Sequence, residues 1–186
     1  AKGEYLLFLD SDQIVTPYLI GGCVKAMDLC DALYIPERIV TKGFFGYLRN
    51  WERQFYTGTP IDVVRYIRKS SCPKFDESMN GPEDSDFDRR VKGKKSIAIF
   101  CLYHDDQIGI ISYLRKKAYY CKSMRRFAEK WPNDKVLDWK WRCLGVFMEN
   151  GKWKRLLSRP DLAICLIGLI FIRGVIYLWG KKNASL

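Results

Sequence analysis

The chain has 186 residues, enough to bury a real core as one domain with an appendage. Its seven cysteines include no CxxC pair, which excludes the spacing of a zinc ribbon and of a small disulfide scaffold and points to reduced, mostly buried thiols in a cytosolic compartment. Charge is split unevenly: residues 1–90 carry 12 Lys and Arg against 14 Asp and Glu, net −2, whereas residues 91–186 carry 20 against 7, net +13. An acidic half suited to a cation thus precedes a basic half suited to anionic lipid, nucleotide phosphates or nucleic acid.

The chain has no initiator Met and no signal peptide, and it opens almost directly into an apolar run, which reads as a domain lacking its N-terminal part. Tyr5 to Leu9 is expected to be a strand buried on both faces, delivering Asp10 and Asp12 to the sheet edge where open α/β folds place ligands. Two carboxylates one residue apart suit Mg²⁺ or Mn²⁺ holding a phosphate; an Asx turn is the other account of them. Thr16 and Pro17 read as the N-cap and first position of a helix of three to four turns with an apolar face of Leu19, Cys23, Met27 and Cys30. Asp31 to Pro36 follows as a strand, with Glu37 and Arg38 at its end, either facing the same crevice or forming a surface ion pair. Gly43 to Tyr56 is an aromatic-rich amphipathic helix or lid. Asp62 to Ile67 is a strand whose Arg65 meets an anionic partner or, on an edge, solvent.

Asn80-Gly81-Pro82 marks a turn, and a helix starting at Pro82 or Glu83 places carboxylates where the helix dipole favours them. A carboxylate there, aimed into a crevice, is a candidate general base; an over-capped helix start is the alternative. Ser96 to Tyr103 reads as one buried strand ending in His104, the only histidine, with Asp105 and Asp106 after it. An imidazole joining two aspartates is an acceptable Mn²⁺ set.

The segments KGEYLLFLDSDQIVTP, IPER, CPKFDESMNGPEDSDFDRR and YHDD followed by LRKKAYYCKS, in this order, resemble the family 2 glycosyltransferases of GT-A fold over roughly residues 1–130. The resemblance implies an α/β, GT-A-like (Rossmann-like) mixed sheet with flanking helices, truncated at its N-terminus. It implies inverting transfer of a sugar from a nucleotide-sugar donor to a glycan or lipid-linked acceptor, with Mn²⁺ or Mg²⁺. In those terms Asp10 contacts the ribose or the metal, Asp12 binds the metal, and His104 is a third ligand. Asp84 is the base with Glu83 beside it. Glu37, Arg65, Arg90, Lys116 and Lys117 are candidate donor or anion contacts, and for the cations a solvated surface is the competing reading. The rival class is a haloacid-dehalogenase-like phosphatase with Asp10 as nucleophile and Asp12 as acid/base, although its Lys motif is not apparent. A third reading is a membrane-bound remnant of the GT-A fold without turnover.

Residues 131–186 differ in kind. Tyr113 to Trp131 is a basic, aromatic helical stretch, and Trp139, Trp141 and Trp153 then lie among Lys and Arg, as at a membrane interface. Leu162 to Trp179 is almost wholly apolar, interrupted by Arg173, which sits where it can snorkel. Its eighteen residues span about 27 Å against a bilayer core of about 30 Å, so a helix over about 161–180 is a single span, an interfacial element on a membrane or a helix buried by a partner chain. The interleaved Trp and this run favour a membrane over nucleic acid, with the catalytic part cytoplasmic.

Overall fold

The computed structural model of the chain describes residues 2–79 and 82–183. It is a mixed α/β structure with two mixed sheets. β1 (Tyr5–Leu7), β5 (Val64–Arg68), β3 (Ala32–Tyr34) and β6 (Lys95–Ile97) form a four-stranded sheet in that order. β2 (Gln13–Val15), β7 (Leu102–Asp105) and β4 (Glu37–Val40) form a three-stranded one. In the first sheet β1 and β3 run antiparallel to β5 while β6 runs parallel to β3; in the second, β2 is antiparallel and β4 parallel to β7.

The chain passes three times from the first sheet to the second, and two of these passages, through Ile35-Pro36 and through Ala98 to Cys101, lie side by side. Ala98 N–H donates to Tyr34 O at 2.9 Å and Leu102 N–H to Pro36 O at 3.0 Å. Pro36 has no N–H and cannot extend the ladder of β3, so the strand ends there and the chain changes sheets. The expected single strand over Ser96 to Tyr103 is therefore two strands with a bend between them. The apolar run gave no warning, because its middle is not buried: Ile99 is 92% exposed.

Two other expectations are corrected. β1 stops at Leu7 and lies at the sheet edge with one strand neighbour, so it is only half-buried although Tyr5 and Leu7 pack on one core and Leu6 on the other. Helix α1 (Leu19–Ala26) starts at Tyr18 without a side-chain cap and is shorter than expected. Thr16 is not its cap; its hydroxyl instead donates to Cys101 O at 2.7 Å, tying the chain before α1 to the second passage.

Strand alternation sends Leu33 to one face of the larger sheet and Ala32 to the other. On the first face Leu33 and Tyr66 pack with Leu19, Cys23 and Met27 of α1. On the second, Ala32, Val64 and Ile67 pack with Phe87 and Val91 at α3 (Glu83–Arg90). The expected helix start at Pro82 is present, with Pro82 at the N-cap; Asn80 and Gly81 of the expected turn lie outside the described residues. A third core joins α2 (Gly43–Arg53) and α4 (Ile110–Lys130) to the C-terminal elements: a π-helical turn at Trp141–Gly145, α5 (Val146–Met148), α6 (Trp153–Ser158) and α7 (Pro160–Asn183). Packing thus continues across residue 130. Trp141 is not an interfacial residue but part of this core, its indole N–H donating to Glu149 at 3.1 Å, whereas Trp139 and Trp153 are exposed. Pro160–Leu178 is long and apolar enough to cross a membrane.

Candidate functional site

Side chains from separate elements meet where the two sheets adjoin. Asp10 and Asp12 lie in the turn between β1 and β2, Glu37 opens β4, Arg65 is in β5 and His104 is in β7. β4 alternates, so Glu37 is buried and Arg38 exposed; only Glu37 faces the crevice. β5 lies between β1 and β3, so Arg65 is not an edge residue bathed in solvent. Its guanidinium gives Nε to Glu37 Oε1 at 2.8 Å and Nη2 to the same oxygen at 2.7 Å, with Nη2 also 3.2 Å from Asp10 Oδ2. The second Glu37 oxygen accepts from Arg53 Nε at 3.0 Å and lies 3.6 Å from His104 Nδ1. His104 Nε2 lies 3.2 Å from Asp12 Oδ2. The row Asp12, His104, Glu37, Arg65, Asp10 is therefore continuous.

Glu37 is the centre of this row. Burial would raise its pKa, but Arg53, His104 and Arg65 outweigh that and hold the carboxyl well below the usual carboxylate range. Glu37 in turn is the main cause of a raised His104 pKa, burial opposing it and Asp12 adding to it. Arg53 also gives Nη2 to buried Asp62 at 2.8 Å, and Asp62 accepts the Gly58 N–H at 3.0 Å, where the backbone has φ +70°. Arg53 and Asp62 were not foreseen. The available signal was the Arg49, Arg53 pair one turn apart on α2, since Arg49 likewise reaches inward to Asp106.

A cleft of about 160 Å³ adjoins the row, lined by Asp10, Arg65 and Asp84 on one side and by Phe8, Phe75 and Phe87 on the other. The Phe75 and Phe87 rings stack at 4.5 Å. Asp84 arrives in the first turn of α3. Its side chain is exposed; the chain packed around it and the charge of Glu83 raise its pKa, Arg65 acts the other way, and Asp10 and Glu37 raise it further.

Of the acids near the start of α3, two serve the fold. Asp86 is fully buried and accepts from Trp131 Nε1 at 2.9 Å and Arg90 Nε at 2.8 Å, with Lys130 Nζ 2.7 Å away. Asp88 accepts the Val64 N–H at 3.1 Å and pairs with Lys95 at 3.0 Å. Arg89 grips Asp134 at 2.7 and 3.1 Å, completing the clamp between α3 and the end of α4 that fixes Asp84. Burial raises the Asp86 pKa but Lys130, Trp131 and Arg90 bring it below its ordinary value of 3.8. A depressed carboxylate contributes stability above its unfolded pKa and loses it as pH falls through the folded one. Asp86→Asn should thus cost about 1.5–3 kcal/mol near neutrality and converge with the wild type on strong acidification, as urea unfolding across pH would show.

Arg90 is engaged by Asp86 and by Lys74 O at 2.6 Å, which turns it away from the cleft. Lys116 is exposed on α4. Lys117 is exposed as well, with its ammonium 5.4 Å from the Tyr113 ring centre. Neither lysine lines the cleft.

For a divalent ion the donor set fits in part as it stands. Asp12 and His104 already present an oxygen and a nitrogen side by side, and Glu37 behind Nδ1 supplies the carboxylate support that metal-binding imidazoles use. Asp10 is drawn off by Arg65 and by Gln13 Nε2 at 2.8 Å, and among the described residues no three His, Cys, Asp or Glu are gathered about one point. Asp12→Ala should remove most Mn²⁺ affinity; equal binding by wild type and variant in calorimetry would exclude the site. Compared with family models, curated proteins and solved structures, the chain finds no match.

Proposed function

We propose that the chain acts as a glycosyltransferase of the family 2 type, transferring a sugar from a nucleotide-sugar donor to a glycan or lipid-linked acceptor with inversion. The observation that carries this reading is the convergence of Asp10, Arg65 and Asp84 on one cleft, with Asp12 and His104 beside them. The alternation of acids and cations suits a substrate that is itself anionic at one end and hydroxylic at the other.

In this mechanism Asp12 and His104, with Asp10 beside them, would hold a divalent ion. Bound there, it would supply neutralisation of the departing diphosphate. Arg65 meets the same developing charge from the protein side, held in aim by Glu37. Asp84, kept basic by its raised pKa, removes the acceptor hydroxyl proton as that oxygen attacks the anomeric carbon. The aromatic wall of Phe8, Phe75 and Phe87 excludes water and covers the apolar face of the acceptor. Membrane association through α7, with the catalytic part on the cytoplasmic side, brings a lipid-linked acceptor to this cleft.

The test is a transfer assay over a panel of nucleotide sugars with lipid-phosphate and soluble glycan acceptors, with and without Mn²⁺. Metal-dependent transfer with inversion is expected. The chain should neither hydrolyse simple phosphate esters nor trap beryllofluoride; ester turnover abolished by Asp10→Asn would assign it to an aspartyl-nucleophile phosphatase instead.

A further inference from the structure

We infer that α7 does not cross a bilayer: it lies in the plane of an anionic membrane surface, with one face on the domain and the stripe Ile164, Ile167, Phe171, Val175 and Leu178 in the lipid. The inference rests on the membrane association proposed above and specifies its geometry.

The domain-facing stripe is fixed by packing. Leu162, Leu166 and Leu169 are at most 4% exposed, and Arg173 follows at the same spacing. Arg173 does not snorkel. Its guanidinium reaches back into the domain, 2.7 Å from Glu52 Oε1 and 3.0 Å from the Tyr113 hydroxyl. Glu52 is 4% exposed, so drawing α7 away to span a membrane would leave a buried carboxylate without its cation. The domain cannot accompany the helix into hydrocarbon either. α7 lies along α4, which carries Arg115, Lys116, Lys117, Arg125 and Arg126, each costing several kcal/mol at the bilayer centre.

The opposite stripe is left bare. Ile164, Ile167, Phe171 and Leu178 are 66–73% exposed and Val175 51%, a continuous apolar strip on a helix of 24 residues. Helix α6, packed against α7, adds exposed Trp153 and Leu157 one turn apart, among Lys152, Lys154 and Arg155. An apolar stripe bordered by Trp and cations fits the boundary between acyl chains and anionic headgroups. A second copy of the chain fits poorly, since closing the stripe against itself would oppose two segments of net charge +13.

The full chain carrying a C-terminal peptide tag is expressed in bacterial cells. The inference expects the protein in the membrane fraction, with the tag intact in protease-treated spheroplasts and digested in inverted vesicles. Purified protein should float with phosphatidylglycerol vesicles, less with phosphatidylcholine alone, and Ile167→Lys with Phe171→Lys should reduce the floated fraction about tenfold or more without changing the urea midpoint. Digestion of the tag in spheroplasts would show a spanning helix and overturn the in-plane geometry while leaving membrane association standing. Absence from membranes and from anionic vesicles would overturn both, and elution as a dimer in that case would assign the stripe to a second copy.

Discussion

Asp84→Asn should lower sugar transfer about 10²- to 10⁴-fold while leaving donor, Mn²⁺ and vesicle binding unchanged, because removing a base affects the chemical step and not ground-state association. The pH profile carries a second signature. Asp84 works only when ionised, and its surroundings raise its pKa above the ordinary 3.8. The rate should therefore climb with pH through that raised value in the wild type, and this limb should vanish in Asp84→Asn. Glu83→Gln should shift the limb toward lower pH, since one of the charges that raises Asp84 is gone, and should cost far less activity. Full transfer in Asp84→Asn would remove Asp84 as the base. Loss of donor binding along with transfer would give it a structural role instead.

Arg173→Ala should destabilise the chain by about 3–5 kcal/mol, because it leaves Glu52 buried without its cation. Glu52 also accepts a hydrogen bond from Tyr56, so the loss extends into the α2 side of the third core. The double variant Arg173→Leu with Glu52→Leu is the informative control. With both charges gone and similar volume kept, most of the loss should be recovered, since a buried pair exchanged for apolar groups is often neutral or better. Urea unfolding of the wild type, the double variant and the single variants Arg173→Leu and Glu52→Leu measures the coupling directly. Arg173→Ala with wild-type stability would show that α7 is not anchored at that point.

The convergence of six of the candidate residues was largely legible in the sequence. Asp10, Asp12, Glu37, Asp84 and His104 each stand at or beside a chain break that the sequence marks with Pro, with clustered acids or with the end of an apolar run, and Arg65 is a cation between apolar residues of a strand. The structure brings these six together at the junction of the two sheets. The supporting ion pairs were not legible. Arg53 and Asp62 belong to a helix and a turn whose charges read equally well as solvent-facing, and only tertiary packing distinguishes the two. The same holds for Arg173, whose position near the end of an apolar run suggested snorkelling until Glu52 was placed beside it. The course of the strands was misjudged for a different reason. Apolar runs signal burial, whereas the bend at Ala98 to Cys101 leaves apolar residues exposed, and period alone cannot locate such a bend. Arg90, Lys116 and Lys117 were grouped with the cleft on charge alone, and α3 and α4 carry them elsewhere.

The two side-by-side passages between the sheets bear on how the protein comes to be folded. Asp12 and His104 meet across 92 positions of chain and Glu37 and Arg65 across 28, and no part of the row arises from neighbours in sequence. Parallel pairing of β3 with β6 and of β4 with β7 must close these long loops before any reward is gained, which places the step among the slow ones of folding. The helices can form early, while the acids and arginines of the row are still far apart and fully hydrated. The row then assembles in a single late event, and a nascent chain has no complete version of it until β7 has emerged and docked.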